Sequence, residues 1–256
     1  MTRDQSKVVI VLGMHRSGTS MVAGVLSKLG VNMGQALVGK SWSNPVGHFE
    51  DRDFVELNNR ILEAAGGSWS ASPTEGAIRD QERSFTEDIK DIIGKKESNI
   101  WGWKDPRTCL TIALYLPYLT NPYFIVCHRD YHAIAESLRR RDGMKIEDGI
   151  KLAQIYEDRI KGFFRAHPEL PRLDIRYEDV LAAPERALRK IIDFLEIQVN
   201  QEQYQVALQL ILPREKVRWL SKKERMKARL GMIKKAVTEP WKIPGCVLRK
   251  IRSKCS

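Results

Sequence analysis

No run of apolar residues in this chain comes near the roughly 20 that a membrane helix needs. The polar start, Met1 to Lys7, carries neither an apolar signal core nor a small-residue cleavage site behind it, so a cytoplasmic location is the expectation. Cysteine is scarce: Cys109, Cys127, Cys246 and Cys255 make no CxxC pair and read as reduced, unlinked thiols. His128 and His132 stand four apart, but no glutamate follows His128 in the metalloprotease manner, and Arg129 and Arg139 to Arg141 would repel a cation. No metal is expected. Internal repeats and low-complexity tracts are lacking. Excess charge is lacking too over most of the length. The formal net charge is +11, yet residues 213–256 hold 15 Lys/Arg against 3 Asp/Glu, and the other 212 residues hold 28 against 29. Basicity confined to one end weakens any reading of the chain as a specific nucleic-acid binder.

With 256 residues, 43% of them hydrophobic, the chain can build one sizeable core. Val8 to Leu12 is a continuous apolar, β-branched run, as a buried parallel strand requires. Met21, Val22, Val25, Leu26 and Leu29 follow at helical spacing, and Gly30 stands where that helix should stop. Ser41 to Asp53 reads as loop. Helices are expected over Asp53 to Ala65, Glu75 to Lys95, Tyr131 to about Arg141, about Glu147 to Ala166, and from Pro184 to about Leu195. Further strands are expected over Tyr123 to Cys127 and Leu173 to Tyr177. Strands alternating with helices predict an α/β fold, a doubly wound and mostly parallel sheet with helices on both faces. Residues 1–212 would form that domain, and 213–256 a basic, helical C-terminal segment.

Between the first strand and helix lies Gly13-Met14-His15-Arg16-Ser17-Gly18-Thr19-Ser20. Gly13 and Gly18 have the GxxxxG spacing of a phosphate-binding loop, in which backbone N–H groups and the helix N-terminus face an anion. A nucleotide-triphosphate loop continues Gly-Lys-Ser/Thr, but Thr19 takes the lysine position and the cation is Arg16, two places before the second glycine. Amides, hydroxyls and one guanidinium suit a phosphosulfate, which is less charged than a triphosphate tail and requires no metal. The segment resembles the 5′-phosphosulfate loop of sulfotransferases, often Pro-Lys/Arg-Ser-Gly-Thr-Thr. The resemblance implies 3′-phosphoadenosine 5′-phosphosulfate (PAPS) as co-substrate, with Arg16, Ser17, Gly18, Thr19 and Ser20 on its phosphosulfate.

A second strand–helix junction carries Arg129, then Ser137 and Arg141. Ser137 and Arg141 share a helix face, and Arg129 at the strand end can point the same way. Two guanidiniums and a hydroxyl make a pocket for a phosphate monoester. This resembles the family's 3′-phosphate motif, an Arg at a strand end with a Ser eight residues on; the Arg at plus twelve is similar to the tyrosylprotein branch. Arg176-Tyr177-Glu178-Asp179, with Pro184 after it, resembles a late family segment that implies Tyr177 near the adenosine.

Sulfuryl transfer is an in-line displacement and needs a base on the acceptor and cations on the leaving oxygen. Arg16 is one such cation. Lys104, in Trp101-Gly102-Trp103-Lys104-Asp105-Pro106-Arg107, is the other; Lys-Asp-Pro resembles the tyrosylprotein segment whose lysine stabilises the transition state, while an ion pair with Asp105 is the plainer use for Lys104. The base candidates are Glu50, Asp51, His48 and Asp105, and a family likeness of the Gly-aromatic-Phe-Glu segment favours Glu50. The expected function is transfer from PAPS to a hydroxyl or amine. The alternatives are a P-loop small-molecule kinase and a non-catalytic nucleotide-binding protein. The acceptor class stays open among carbohydrate, lipid headgroup, peptide and small metabolite. For the basic segment three uses stay open: closing over the donor, contacting an anionic surface, or a solvated tail.

Overall fold

The computed structural model describes residues 6–39, 47–96 and 98–211; the basic segment 213–256 lies outside the described residues. In chain order the elements are β1 (Lys7–Leu12), α1 (Thr19–Lys28), α2 (Arg52–Ala64), α3 (Glu75–Arg79), α4 (Glu82–Gly94), β2 (Ile100–Lys104), α5 (Thr108–Tyr115), β3 (Pro122–His128), α6 (Tyr131–Asp142), α7 (Ile146–Ala166), β4 (Arg172–Arg176), α8 (Tyr177–Ala182), α9 (Pro184–Leu195) and α10 (Gln201–Leu210). The four strands form one parallel sheet in the order β2-β1-β3-β4. Among the described residues no helix is long and apolar enough to cross a membrane.

Alternation along β1 divides the core into two layers. Val8, Ile10 and Leu12 face one side, with Phe54 of α2, Tyr115 of α5, Leu138 of α6 and Tyr156 of α7. Val9 and Val11 face the other, with Val22 and Leu26 of α1 and Leu188 and Ile191 of α9. Because both faces are covered, strand residues of either parity are apolar, which is why β1 reads as an unbroken hydrophobic run. β1 is central: the chain passes from it to β2 on one side and then back across it to β3 on the other. In a doubly wound sheet the carboxyl end of such a strand is the usual ligand position.

The structure departs from the sequence expectations in several places, and two helices, α5 and α10, stand where none was expected. β2 is an additional strand; its Gly102 interrupts the apolar pattern and is required, since a Cβ there would run into the Val9 carbonyl oxygen of the adjacent strand. The stretch Glu75 to Lys95 is two helices, α3 and α4, with a break at Asp80–Gln81. Tyr177 opens α8 instead of ending a strand.

At the end of β3, His128 is clamped between two carboxylates: Nε2 is 2.6 Å from Asp174 Oδ1 of β4 and Nδ1 is 3.2 Å from Glu157 Oε2 of α7. Hydrogen bonds to Asp174 and then Glu157 raise its pKa from 6.5 to about 9. The imidazolium is bound more tightly by the folded state than by the unfolded chain, so its stabilisation is complete below pH 6.5 and is lost as pH rises through 9. The shift corresponds to an upper bound of about 3 kcal/mol, and the partial exposure of Asp174 trims this toward 1–2 kcal/mol. Urea unfolding from pH 6 to 9.5 should show the wild type losing stability relative to His128→Gln across that window; parallel curves would rule out the clamp.

Candidate active site

Every candidate residue lies on a segment at or beside the carboxyl edge of the sheet. The loop after β1 turns through Gly13 (φ 144°), Arg16 (φ 73°) and Gly18 (φ 97°) into the first turn of α1. Arg16 holds a left-handed backbone although it has a Cβ, a conformation that costs on the order of 1 kcal/mol or more and needs neighbours to fix it. Two neighbours come from the second junction. Arg129, just past β3, donates from Nη1 to the Arg16 carbonyl at 2.8 Å, and Arg16 Nε donates to Ser137 Oγ of α6 at 2.8 Å. Tyr177 completes the junction: the Arg129 guanidinium lies 4.5 Å from its ring centroid. The same ring packs so closely on Gly18 that a Cβ there would be 2.6 Å from Tyr177 Cδ2. The two anion-binding turns inferred from sequence are thus one bonded unit. Ser17 Oγ, inside it, is buried without a protein partner, the kind of orphan that a ligand oxygen relieves.

Arg141 stands one turn beyond Ser137 on α6. Its guanidinium lies over Trp69, 5.2 Å from the ring centroid, and its Nε donates to Asp142 Oδ2 at 2.7 Å. Trp69 also meets His15, with ring centroids 4.6 Å apart, and its carbonyl accepts from Tyr156 OH at 2.8 Å.

Glu50 is delivered by packing. Phe49 (φ 52°) drives its ring against α1 where Gly24 lacks a side chain; a Cβ on Gly24 would sit 3.0 Å from that ring. Val38 N–H donates to the Glu50 carbonyl at 2.7 Å and Arg52 N–H to that of Ala36 at 3.2 Å, pinning the backbone on either side. The carboxylate then accepts from Lys104 Nζ at 2.5 Å, with Ser20 Oγ 3.3 Å from the same ammonium. Lys104 stands at the end of β2, in register with Val11, and is 1% exposed; Glu50 is 12% exposed. Burial lowers the Lys104 pKa, and Glu50 partly offsets this. Burial alone would raise Glu50, but the Lys104 charge, its hydrogen bond and Arg107 outweigh it and hold the carboxyl below its usual range. The pair is a carboxylate and an ammonium, each dependent on the other.

The remaining base candidates have other partners. Asp51 caps α2 through the Asp53 N–H at 3.1 Å and pairs with Lys96 at 2.8 Å. Asp105 is fully buried, accepting from Asn58 Nδ2 at 2.8 Å and pairing with Arg107 Nη1 at 2.7 Å; it is not the partner of Lys104. His48 lies beside Glu50, and burial lowers its pKa while the Glu50 charge opposes that.

His15 and Arg107 were not legible as site residues. His15 is 8% exposed with Nε2 unpartnered. Burial holds its pKa well below 6.5, aided by Arg141, Arg107, Lys104 and Arg16, so the ring is neutral. The one sequence signal for Arg107 is its place three residues after Lys104.

The sequence profile of the sulfotransferase family matches residues 8–201. Among solved structures the chain is similar to the sulfotransferase domain of the Synechococcus PCC 7002 olefin synthase, at 16% identity and a TM-score of 0.50, over 79% of this chain and 78% of that one. It is also similar to a Mycobacterium tuberculosis H37Rv sulfotransferase (14% identity, TM-score 0.47, 80% and 71% covered). Retinol dehydratase in complex with androsterone and the inactive cofactor PAP is a further match (14%, 0.43, 96% and 84%). The olefin-synthase domain shares the fold. No curated protein matches significantly.

Removing one member of the buried pair strands the other. Lys104→Met should destabilise the protein by roughly 3–5 kcal/mol, whereas Lys104→Met with Glu50→Gln should cost much less than the two single changes summed. Urea unfolding of the four proteins measures the coupling; strict additivity would contradict the pairing.

Proposed function

The chain belongs to the sulfotransferase family, and from that premise we propose that it transfers a sulfuryl group from PAPS to a hydroxyl or amine acceptor by in-line displacement. The observation that carries the reading is the junction of Arg16, Arg129, Ser137, Tyr177 and Gly18. It supports a ligand with two separate anionic groups, one on each turn. In this reading Arg16, Ser17, Gly18, Thr19 and Ser20 hold the 5′-phosphosulfate at the N-terminus of α1. Arg129 and Ser137 hold the 3′-phosphate, with Arg141 one turn further along the same helix face. Tyr177 adjoins the adenosine. The orphaned Ser17 hydroxyl and the cations around it fit such a donor.

When bound, PAPS supplies the activated sulfuryl group. Glu50 takes the proton of the acceptor as its oxygen or nitrogen bonds to sulfur and the bond from sulfur to the bridging oxygen breaks. Lys104 and Arg16 hold the charge that collects on that departing oxygen. Glu50 is a weak base while it is bonded to Lys104. Drawing the ammonium onto the donor frees the carboxylate, so the base is armed only beside a bound donor. Position and electrostatics carry most of the rate. A cytoplasmic site of action and contact of 213–256 with an anionic surface are part of the same proposal.

The kinase alternative has no lysine at position 19, and nothing about the site favours it. Saturating 3′,5′-adenosine bisphosphate (PAP), at about 100 times its Kd, should stabilise the protein by about 2.7 kcal/mol without magnesium, and ATP should do so neither with nor without it. The opposite pattern in thermal melts would favour a kinase. Glu50→Gln should lower kcat by about 10²- to 10⁴-fold with PAP affinity near wild type; full activity in that variant would transfer the role to another group. PAP binding without transfer to any acceptor pool would favour a non-catalytic protein.

A further inference from the structure

Resting on the donor reading above, we infer that Arg129 is a positioning residue for the loop at the other end of the donor. Held by Tyr177, it fixes the left-handed turn at Arg16, so the grip on a 5′-phosphosulfate depends on Arg129 even in a ligand that has no 3′-phosphate. The turn is built locally. Ser17 N–H donates to the Met14 carbonyl at 3.1 Å, closing four residues of which Arg16, at φ 73°, is the third. A left-handed third position suits glycine. An arginine there keeps its side chain at a cost in backbone strain, which contacts from outside the turn must contain.

The sheet register supplies those contacts. β3 and β4 pair with His128 opposite Arg176, so the next residue of each, Arg129 and Tyr177, leave the sheet side by side. His128 Nε2, 2.6 Å from Asp174 Oδ1 of β4, ties that end of β3 to its neighbour. The Arg129 guanidinium lies 4.5 Å from the Tyr177 ring centroid, and its Nη1 donates to the Arg16 carbonyl at 2.8 Å. The Tyr177 ring also closes on Gly18, leaving no room for a Cβ. The loop is therefore held at residue 16 by a hydrogen bond and at residue 18 by packing, and both holds meet at Tyr177.

What lies between and just beyond these two points is what an anion on the loop would meet. Ser17 Oγ is buried without a protein partner, and the N-cap of α1, Gly18, offers no side chain to its N–H groups. Releasing the Arg16 carbonyl lets the turn relax and carries these groups with it. A guanidinium has several N–H donors in a planar fork, so a bond to the carbonyl and a bond to a phosphate do not exclude each other. One side chain can thus serve both ends of the donor: directly at the 3′-phosphate, and through the Arg16 backbone at the phosphosulfate.

Two ligands separate these uses. Adenosine 5′-phosphosulfate has the phosphosulfate and no 3′-phosphate; adenosine 3′-monophosphate has the reverse. Calorimetric titration of Arg129→Gln should show about tenfold weaker binding of adenosine 5′-phosphosulfate, equivalent to about 1.4 kcal/mol, in a protein of normal melting temperature. In the unliganded variant, hydrogen exchange should quicken at residues 16–20 and stay unchanged along β1. Arg129→Lys keeps the charge without the planar fork, so it should regain more of the affinity for the 3′-monophosphate than for the 5′-phosphosulfate. Wild-type affinity for adenosine 5′-phosphosulfate in Arg129→Gln overturns the inference, because Arg129 would then act at the 3′-phosphate alone. Full recovery of that affinity in Arg129→Lys overturns it too, since charge and not the shape of the loop would be at work. Unchanged exchange at residues 16–20 has the same force. Should Arg129→Gln fail to fold, Arg129→Lys decides by the same two readouts. Wild-type protein that binds neither PAP nor adenosine 5′-phosphosulfate would instead refute the donor reading, and this inference with it.

Discussion

Lys104 ends a buried strand with its ammonium out of water, and an isolated charge in that position is untenable. It must have a carboxylate, and the carboxylate must come from elsewhere in the chain, since Asp105 next door turns into the α2–α5 layer. Much of the local architecture serves that need. Phe49 wedges against Gly24, the chain on either side of Glu50 is pinned by backbone hydrogen bonds, and Asp51 both caps α2 and ties down Lys96. The pair that results stands between the phosphate-type loop and the Arg107 turn. It gives the centre a carboxylate and a cation whose roles can separate only when something else takes the lysine.

The second organising constraint is the left-handed Arg16. Its strain is contained by Arg129 on its carbonyl and by Ser137 on its side chain, so the loop after β1 cannot be shaped without the ends of β3 and α6. Parallel strands make this possible, because all their carboxyl ends, and the helix N-termini that follow, point to the same edge. Lys104, Arg107, Arg129, Arg141 and Arg16 therefore come from segments that meet beside this edge, and Glu50, Asp105 and Asp142 are each bonded to one of them.

Legibility from sequence tracked how local the physics is. The β1–loop–α1 unit could be read because its pattern is contiguous: β-branched run, paired glycines, helical spacing. Arg129 and Ser137 could be singled out by spacing and Tyr177 by family likeness, although their mutual bonds could not. β2 was hidden because Gly102 interrupts its short apolar run, and the close approach that demands the glycine comes from Val9, more than ninety residues earlier. Arg141 shares the predicted helix face with Ser137, yet its stack on Trp69 depends on a loop whose path no local rule gives.

What the sequence determined alone was the fold class and the place of two glycine- or arginine-bearing turns at strand–helix junctions, since each follows from periodicity or residue pattern within a dozen residues. Tertiary structure decided which carboxylate meets Lys104, that Asp105 serves Arg107, and that His15 sits neutral among cations. Those outcomes depend on desolvation and on distances between segments far apart in the chain, and neither quantity exists until the layers have packed.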